Sequence, residues 1–153
     1  MRILVHPQRG YYRLFFLEGG KVTAVGQVDL AKTPKGYRPK DYLVRKPGSR
    51  HGRSIPSKDL VASLRRAEVE LTRKDGPWED FLADLQIPWA FRSLCRTCLL
   101  EDRVTPLVEE TSVRSGKESV CMECARKEVR RELGYFTKFG KISYAYIENL
   151  LAA

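Results

Sequence analysis

The sequence predicts an α+β fold with its strands first and its helices after. Three observations carry that expectation. Short apolar runs punctuated by turn residues fill the first 28 positions, helical apolar spacing follows over residues 57–71 and 77–85, and two C-x2-C pairs lie between residues 95 and 124.

The strands come first. "RILV" is an apolar run, Pro7 and Gly10 punctuate, and "YYRLFFL" follows. "EGG" is a turn signal, because glycine takes positive φ at no steric cost. "KVTAVGQV" then alternates apolar and polar side chains as a half-buried strand does. Strands are expected near 2–5, 11–17 and 21–28, in a small antiparallel sheet.

Residues 31–58, "AKTPKGYRPKDYLVRKPGSRHGRSIPSK", hold four prolines and three glycines, which break any regular period and predict irregular chain, with "DYLV" as a short strand at most. A helix is expected to start after Ser57, whose hydroxyl can cap it, and to run through "KDLVASLRRAEVEL" with Leu60, Val61, Leu64 and Leu71 as its apolar stripe. A second helix fits "PWEDFLADL". Pro77 suits the first turn, Glu79 and Asp80 favour the positive end of the dipole, and Trp78, Phe81, Leu82 and Leu85 share one face.

Cys95-Arg-Thr-Cys98 and Cys121-Met-Glu-Cys124 stand 22 residues apart. Two residues between thiolates allow a tight turn that presents both sulfurs to one tetrahedral ion, with Zn–S near ~2.3 Å. The stretch between them reads as a hairpin: "RVTPLVEE" outward, Ser115-Gly116 at the turn and "KESV" back. The second pair opens the helix "ECARKEVRREL", expected to end at Gly134. A turn, a hairpin and a helix carrying the last ligands resemble a treble-clef or zinc-ribbon-like finger. Zn2+ is the expected cofactor, held by Cys95, Cys98, Cys121 and Cys124; iron in a rubredoxin-like site is the alternative, although neither pair has the proline and glycine typical of those turns. Four cysteine ligands leave no open position, so the site is read as structural and closed rather than catalytic.

The net charge is +9, and it is unevenly placed. Residues 1–60 hold 13 basic side chains against Glu18, Asp29, Asp41 and Asp59, whereas residues 61–153 hold 15 of each sign. Within 32–58, Lys35, Arg38, Lys40, Arg45, Lys46, Arg50 and Arg53 have Asp41 as the one local acid. Tyr37 and Tyr42 are interleaved, and aromatic rings stack on unpaired bases. These seven residues are the candidate contacts to nucleic acid, binding phosphates without reading sequence; a solvated loop, or one gripping an acidic protein, is the plainer alternative. On the helix after Cys124, Glu123, Glu128 and Glu132 are interleaved with Arg126, Lys127, Arg130 and Arg131, which predicts a self-neutralised face.

Much is missing. There is no phosphate loop, no G-x-G-x-x-G, no G-x-S-x-G and no H-E-x-x-H, and His6 and His51 lack an obvious catalytic neighbour. A non-enzymatic chain is expected. No run of about 18 apolar residues exists to span a membrane, and the start has no apolar core of signal-peptide length, so a cytoplasmic setting is expected. There, four cysteines serve as ligands rather than disulfides.

"KISYAYIENLLAA" carries Ile142, Tyr146 and Leu150 on one helical face and Tyr144, Ile147 and Leu151 on another. A helix apolar on several sides is expected to be covered by a continuation of the chain or by a partner.

With the cysteines placed, "CRTCLLEDRVTPLVEE", "VCMECARKEVRREL" and "GYFTKFGKISYAYIENLLA", over roughly residues 91–152, resemble the N-terminal accessory region of archaeal Ski-like superfamily-2 RNA helicases. The resemblance implies zinc on the same four cysteines, a downstream ATP-driven helicase core whose motifs this chain lacks, and a role in RNA processing or decay with docking to exoribonuclease machinery. The organisation expected is a basic β-rich lobe over 1–60, a helical connector over 61–90, a four-cysteine finger over 91–135 and a C-terminal helix over 136–153. The corresponding function is a non-catalytic zinc-binding accessory domain that contacts RNA and docks a protein partner. The alternatives are a free-standing nucleic-acid-binding zinc protein and a module for protein–protein contact alone.

Overall fold

The computed structural model describes residues 1–107, 112–115 and 118–138. Strands β1 (Arg2–Gln8), β2 (Tyr11–Glu18) and β3 (Lys21–Thr33) form an antiparallel meander, longer than the sequence pattern suggested. The β2–β3 turn pairs Glu18 with Lys21 around Gly19 and Gly20, whose φ values of 57° and 78° demand glycine.

The basic segment is where sequence reading failed. Most of it is sheet: β4 (Gly36–Arg45) runs antiparallel to β3, and β5 (Gly52–Ser54) antiparallel to β4. The prolines punctuate the ladder without abolishing it. Pro34 sits in the β3–β4 turn and Pro47 in the β4–β5 loop, while Pro39 lies beside the register shift at Asp29/Leu30, where a lost donor costs little.

Helix α1 (Ser57–Arg66) stops five residues early, and Pro56, not Ser57, stands at its N-cap with no side-chain cap bond. Ala67 turns extended and β6 (Glu68–Leu71) pairs parallel with β1, from Arg2↔Glu68 to Val5↔Leu71. Val69 and Leu71 are buried there; a strand packs them into the sheet, where a helix would leave them on its own stripe. Helix α2 (Trp78–Asp84) matches expectation, and an unanticipated β7 (Trp89–Phe91) then pairs parallel with β6. The sheet is therefore mixed rather than purely antiparallel: seven strands in the order β5-β4-β3-β2-β1-β6-β7. The expected connector contributes two of them.

The sheet is covered on both faces. On one, α1 and α2 pack Leu60, Leu64, Trp78, Phe81 and Leu82 against Ile3, Val5, Leu14, Phe16, Val28 and Tyr42. On the other, Leu4, Phe15, Leu17 and Val25 meet Leu94 and Leu99 from the first cysteine segment. Alternation along β1 and β2 divides the two cores, as the strand period of two requires.

Short α3 (Arg96–Leu100) carries Cys98, and the hairpin of β8 (Ser112–Ser115) and β9 (Glu118–Cys121) leads into α4 (Met122–Lys138). The outward arm differs from expectation. The stretch around Pro106 is tied to the first cysteine segment, by Cys95 N–H to Thr105 O at 2.9 Å and Leu107 N–H to Ser93 O at 3.0 Å, and the rest of the expected arm, 108–110, lies outside the described residues. Helix α4 continues through Gly134 rather than ending there; a glycine inside a helix costs only about 1 kcal/mol. The apolar stretch over 142–151 lies outside the described residues. Among the described residues no helix is long and apolar enough to cross a membrane.

Candidate metal centre and basic cleft

Cys95 precedes α3 in extended conformation, and its carbonyl accepts the Leu99 N–H at 3.1 Å. The chain then folds back over Cys98, whose carbonyl accepts both Glu101 N–H at 3.0 Å and Arg103 N–H at 2.9 Å. Asp102, at φ 56°, makes that reversal; aspartate is one of the few side chains that tolerate this region. Cys121 closes β9, and Cys124 falls in the first turn of α4.

These elements bring the four buried sulfurs within 4.8 Å of one another. Cys98 Sγ lies 3.6 Å from Cys121 Sγ and 3.4 Å from Cys124 Sγ. A disulfide needs about 2.05 Å, and all four cysteines are free. Thiolates around a tetrahedral ion at about 2.3 Å stand about 3.8 Å apart, so the spacing fits a single bound metal ion. The Thr105 hydroxyl donates to Cys98 Sγ at 3.3 Å, an outer contact that orients a ligand. Burial pushes the Cys98 and Cys124 thiols up, while at Cys95 burial is outweighed by hydrogen bonds that hold the thiol down, so a cation taken up here would displace protons from the raised thiols. The set is arranged to hold a metal ion, and all four predicted ligands come together in it.

The seven predicted nucleic-acid contacts do not share one surface. Arg45 is engaged: its Nη1 and Nη2 donate to Asp102 Oδ2 at 2.6 Å and Oδ1 at 2.8 Å. The Gly48 N–H adds a third bond to Oδ2 at 2.8 Å. The Arg45 guanidinium holds the Asp102 carboxyl below the usual range despite its burial. The cysteine turn thereby grips the β4–β5 loop. Arg38 lies on the helical side, in a groove with Lys58 and Arg65. Lys35, Lys40, Lys46, Arg50 and Arg53 are exposed, and none has an ion-pair partner among the described residues. Of the two tyrosines, Tyr42 is in the core and has no free face for a base, whereas Tyr37 is half-buried against that core, because β4 turns both toward the helices.

Sequence reading missed Asp102. It lies four residues past Cys98 and 57 past Arg45, and no local spacing marks such a pair. It also missed Arg13, which lines a cleft with Arg45 and Arg50 between the sheet and the end of α3. His6 shares a 2.7 Å hydrogen bond between Nδ1 and Thr72 Oγ1. Burial, then the charges of Arg73, Arg13 and Arg96, lower its pKa to about 4, so it stays neutral near pH 7. Buried Glu70 is held between Arg2 and Arg92, a structural bridge across the sheet edge. On α4, Glu123 pairs with Lys127 at 3.3 Å and with Arg103 at 3.6 Å, in line with a self-neutralised face.

Compared with known protein families, curated proteins and solved structures, the chain matches none.

Proposed function

We propose that this chain is a zinc-organised, non-catalytic module that contacts RNA without reading its sequence. The observation that supports it best is the bond set on Asp102, which ties the metal site to the most basic part of the molecule. In this reading zinc folds the cysteine segment as a treble-clef-like finger, and the finger holds the β4–β5 loop, with Lys46 and Arg50, and with Arg53 of β5, outward. Zinc is preferred to iron on the same ground as before, the lack of proline and glycine in either cysteine pair. Phosphate binding by such a surface is driven by counterion release.

The resemblance of the cysteine segments to the accessory region of Ski-like RNA helicases supports a place beside a helicase core in RNA processing. Docking of a protein partner, such as exoribonuclease machinery, has one structural support. Strand β7 lies at an edge of the sheet with Phe91 53% exposed, and an edge strand is a template for a further strand.

The test is fluorescence anisotropy of the metal-loaded chain with single-stranded RNA over a range of salt, together with metal analysis by emission spectroscopy. One zinc per chain and affinity that falls steeply with salt are the expected results. No binding at low salt would turn the reading toward a protein-docking module.

A further inference from the structure

We propose that the cleft between the sheet and the end of α3 receives one nucleotide unit of single-stranded RNA, with the phosphate on Arg13 and Arg50 and the base against Leu43 and Leu100. This rests on the RNA reading above and names the site for it.

The cleft has a volume of about 480 Å³, within the range of ligand-sized clefts. Three distant parts of the chain build it: Arg13 from β2, Gln27 and Leu43 from β3 and β4, and Arg50 in the β4–β5 loop, facing Leu100 and Asp102 at the end of α3.

Its charge is decided by which groups are already taken. Asp102 is saturated by Arg45 and the Gly48 N–H, and Arg45 is neutralised with it. Glu101 is held by Arg103 at 2.5 Å. Neither Arg13 nor Arg50 makes an ion pair among the described residues; Arg13 lies near enough to Asp102 to help hold its carboxyl down, but that carboxylate's bonds go to Arg45 and Gly48, so both guanidiniums keep their donors free for a ligand. These are bidentate donors suited to phosphate oxygens.

Its apolar character is equally specific. The described residues expose four large hydrophobic side chains, Met1, Leu43, Phe91 and Leu100, and two of these line this one cleft, Leu43 at 45% and Leu100 at 69%. Bare phosphate has no use for two leucines, and an acidic peptide offers them little. A nucleotide joins an anionic phosphate to a ring with apolar faces, and Gln27 can meet the ring's polar edge. Those faces are free only in a single strand, since a duplex hides them in its stack.

The experiment uses the full metal-loaded chain, labelled with 15N. Titration with UMP should shift the amides of Gly26, Gly48 and Ser49 and the Gln27 side chain to saturation, and inorganic phosphate at equal concentration should shift them less. Equal shifts from phosphate, or displacement of UMP by an equal concentration of oligoglutamate, would overturn the nucleotide assignment. In anisotropy with a ten-residue oligouridylate, Arg13→Gln/Arg50→Gln should bind at least about tenfold more weakly. Its salt slope should be shallower by about 1.4, for two lost single-strand phosphate contacts. Leu100→Asp, at a position too exposed to disturb the fold, should also weaken binding, whereas Lys35→Ala/Arg38→Ala/Lys40→Ala should bind within about twofold of the wild type. If the wild type binds and both cleft variants match it, the cleft is the wrong site and the RNA reading stands. If the wild type fails to bind the oligonucleotide at low salt, the RNA reading falls; UMP shifts absent as well would remove the cleft with it.

Discussion

Asp102 accepts three hydrogen bonds from residues 57 and 54 positions earlier in the chain while its own backbone makes the turn behind Cys98. It is 8% exposed, so removing its charge leaves Arg45 facing a weaker partner in a partly dry site. Asp102→Asn should cost about 1–2 kcal/mol, moderated by the partial exposure of Arg45, and chemical denaturation would measure it. The pH dependence has a definite sign. The folded-state pKa of Asp102 lies below the ordinary aspartate value of 3.8, first because of the Arg45 hydrogen bonds. Its stabilisation is therefore fully present above pH 3.8 and is lost as pH falls through the lower folded value. The wild type should lose its advantage over Asp102→Asn in that acid range, and a gap that stayed constant there would contradict the assignment. Arg45 shows how a residue changes meaning with context. Its neighbours in sequence mark it as a free phosphate contact, and a distant carboxylate takes it.

Among the elements, those of regular period were legible and those formed by pairing were not. Helix α2 follows from four apolar residues at helical spacing, and the meander of β1 to β3 from alternation and glycine turns. Strand β6 is only four residues long, so "EVEL" reads equally well as the end of a helix; its pairing with β1 decides. Strand β4 hides behind prolines that the ladder places at a turn and beside a bulge. The cysteine elements α3, β8 and β9 are too short to hold their shape alone. Leu94 and Leu99 anchor α3 to the sheet, but β8, β9 and the start of α4 pack mainly around the four thiols with Val120, Ala125 and Leu107, so under the proposed reading a bound metal ion supplies much of their folding energy. Cys98→Ser should therefore release zinc and unfold the segment from residue 91 through the start of α4, while the sheet and its helical face persist. Hydrogen exchange would resolve the two regions, and full protection in a metal-free variant would sink the idea.

At the scale of the molecule, the sheet carries a helical core on one face and the four-cysteine segment on the other, joined by Leu94 and Leu99 packing and by the Asp102–Arg45 bonds. Metal loss should thus be felt at the basic loop, although no basic side chain is a ligand. Chelation is expected to weaken RNA binding and to shift the Gly48 amide; unchanged affinity after complete zinc removal would show that loop and finger act independently. The amino-acid sequence by itself determined which four cysteines come together, the α+β class and the concentration of positive charge in the first 60 residues. These depend on residue type and short spacing, which a linear reading sees directly. Only the tertiary structure decided that the sheet is mixed, that Arg45 is a latch, and that Arg13 joins Arg50 across a cleft. Each of those depends on residues far apart in the chain, and their meeting is set by strand order and core packing rather than by any local pattern.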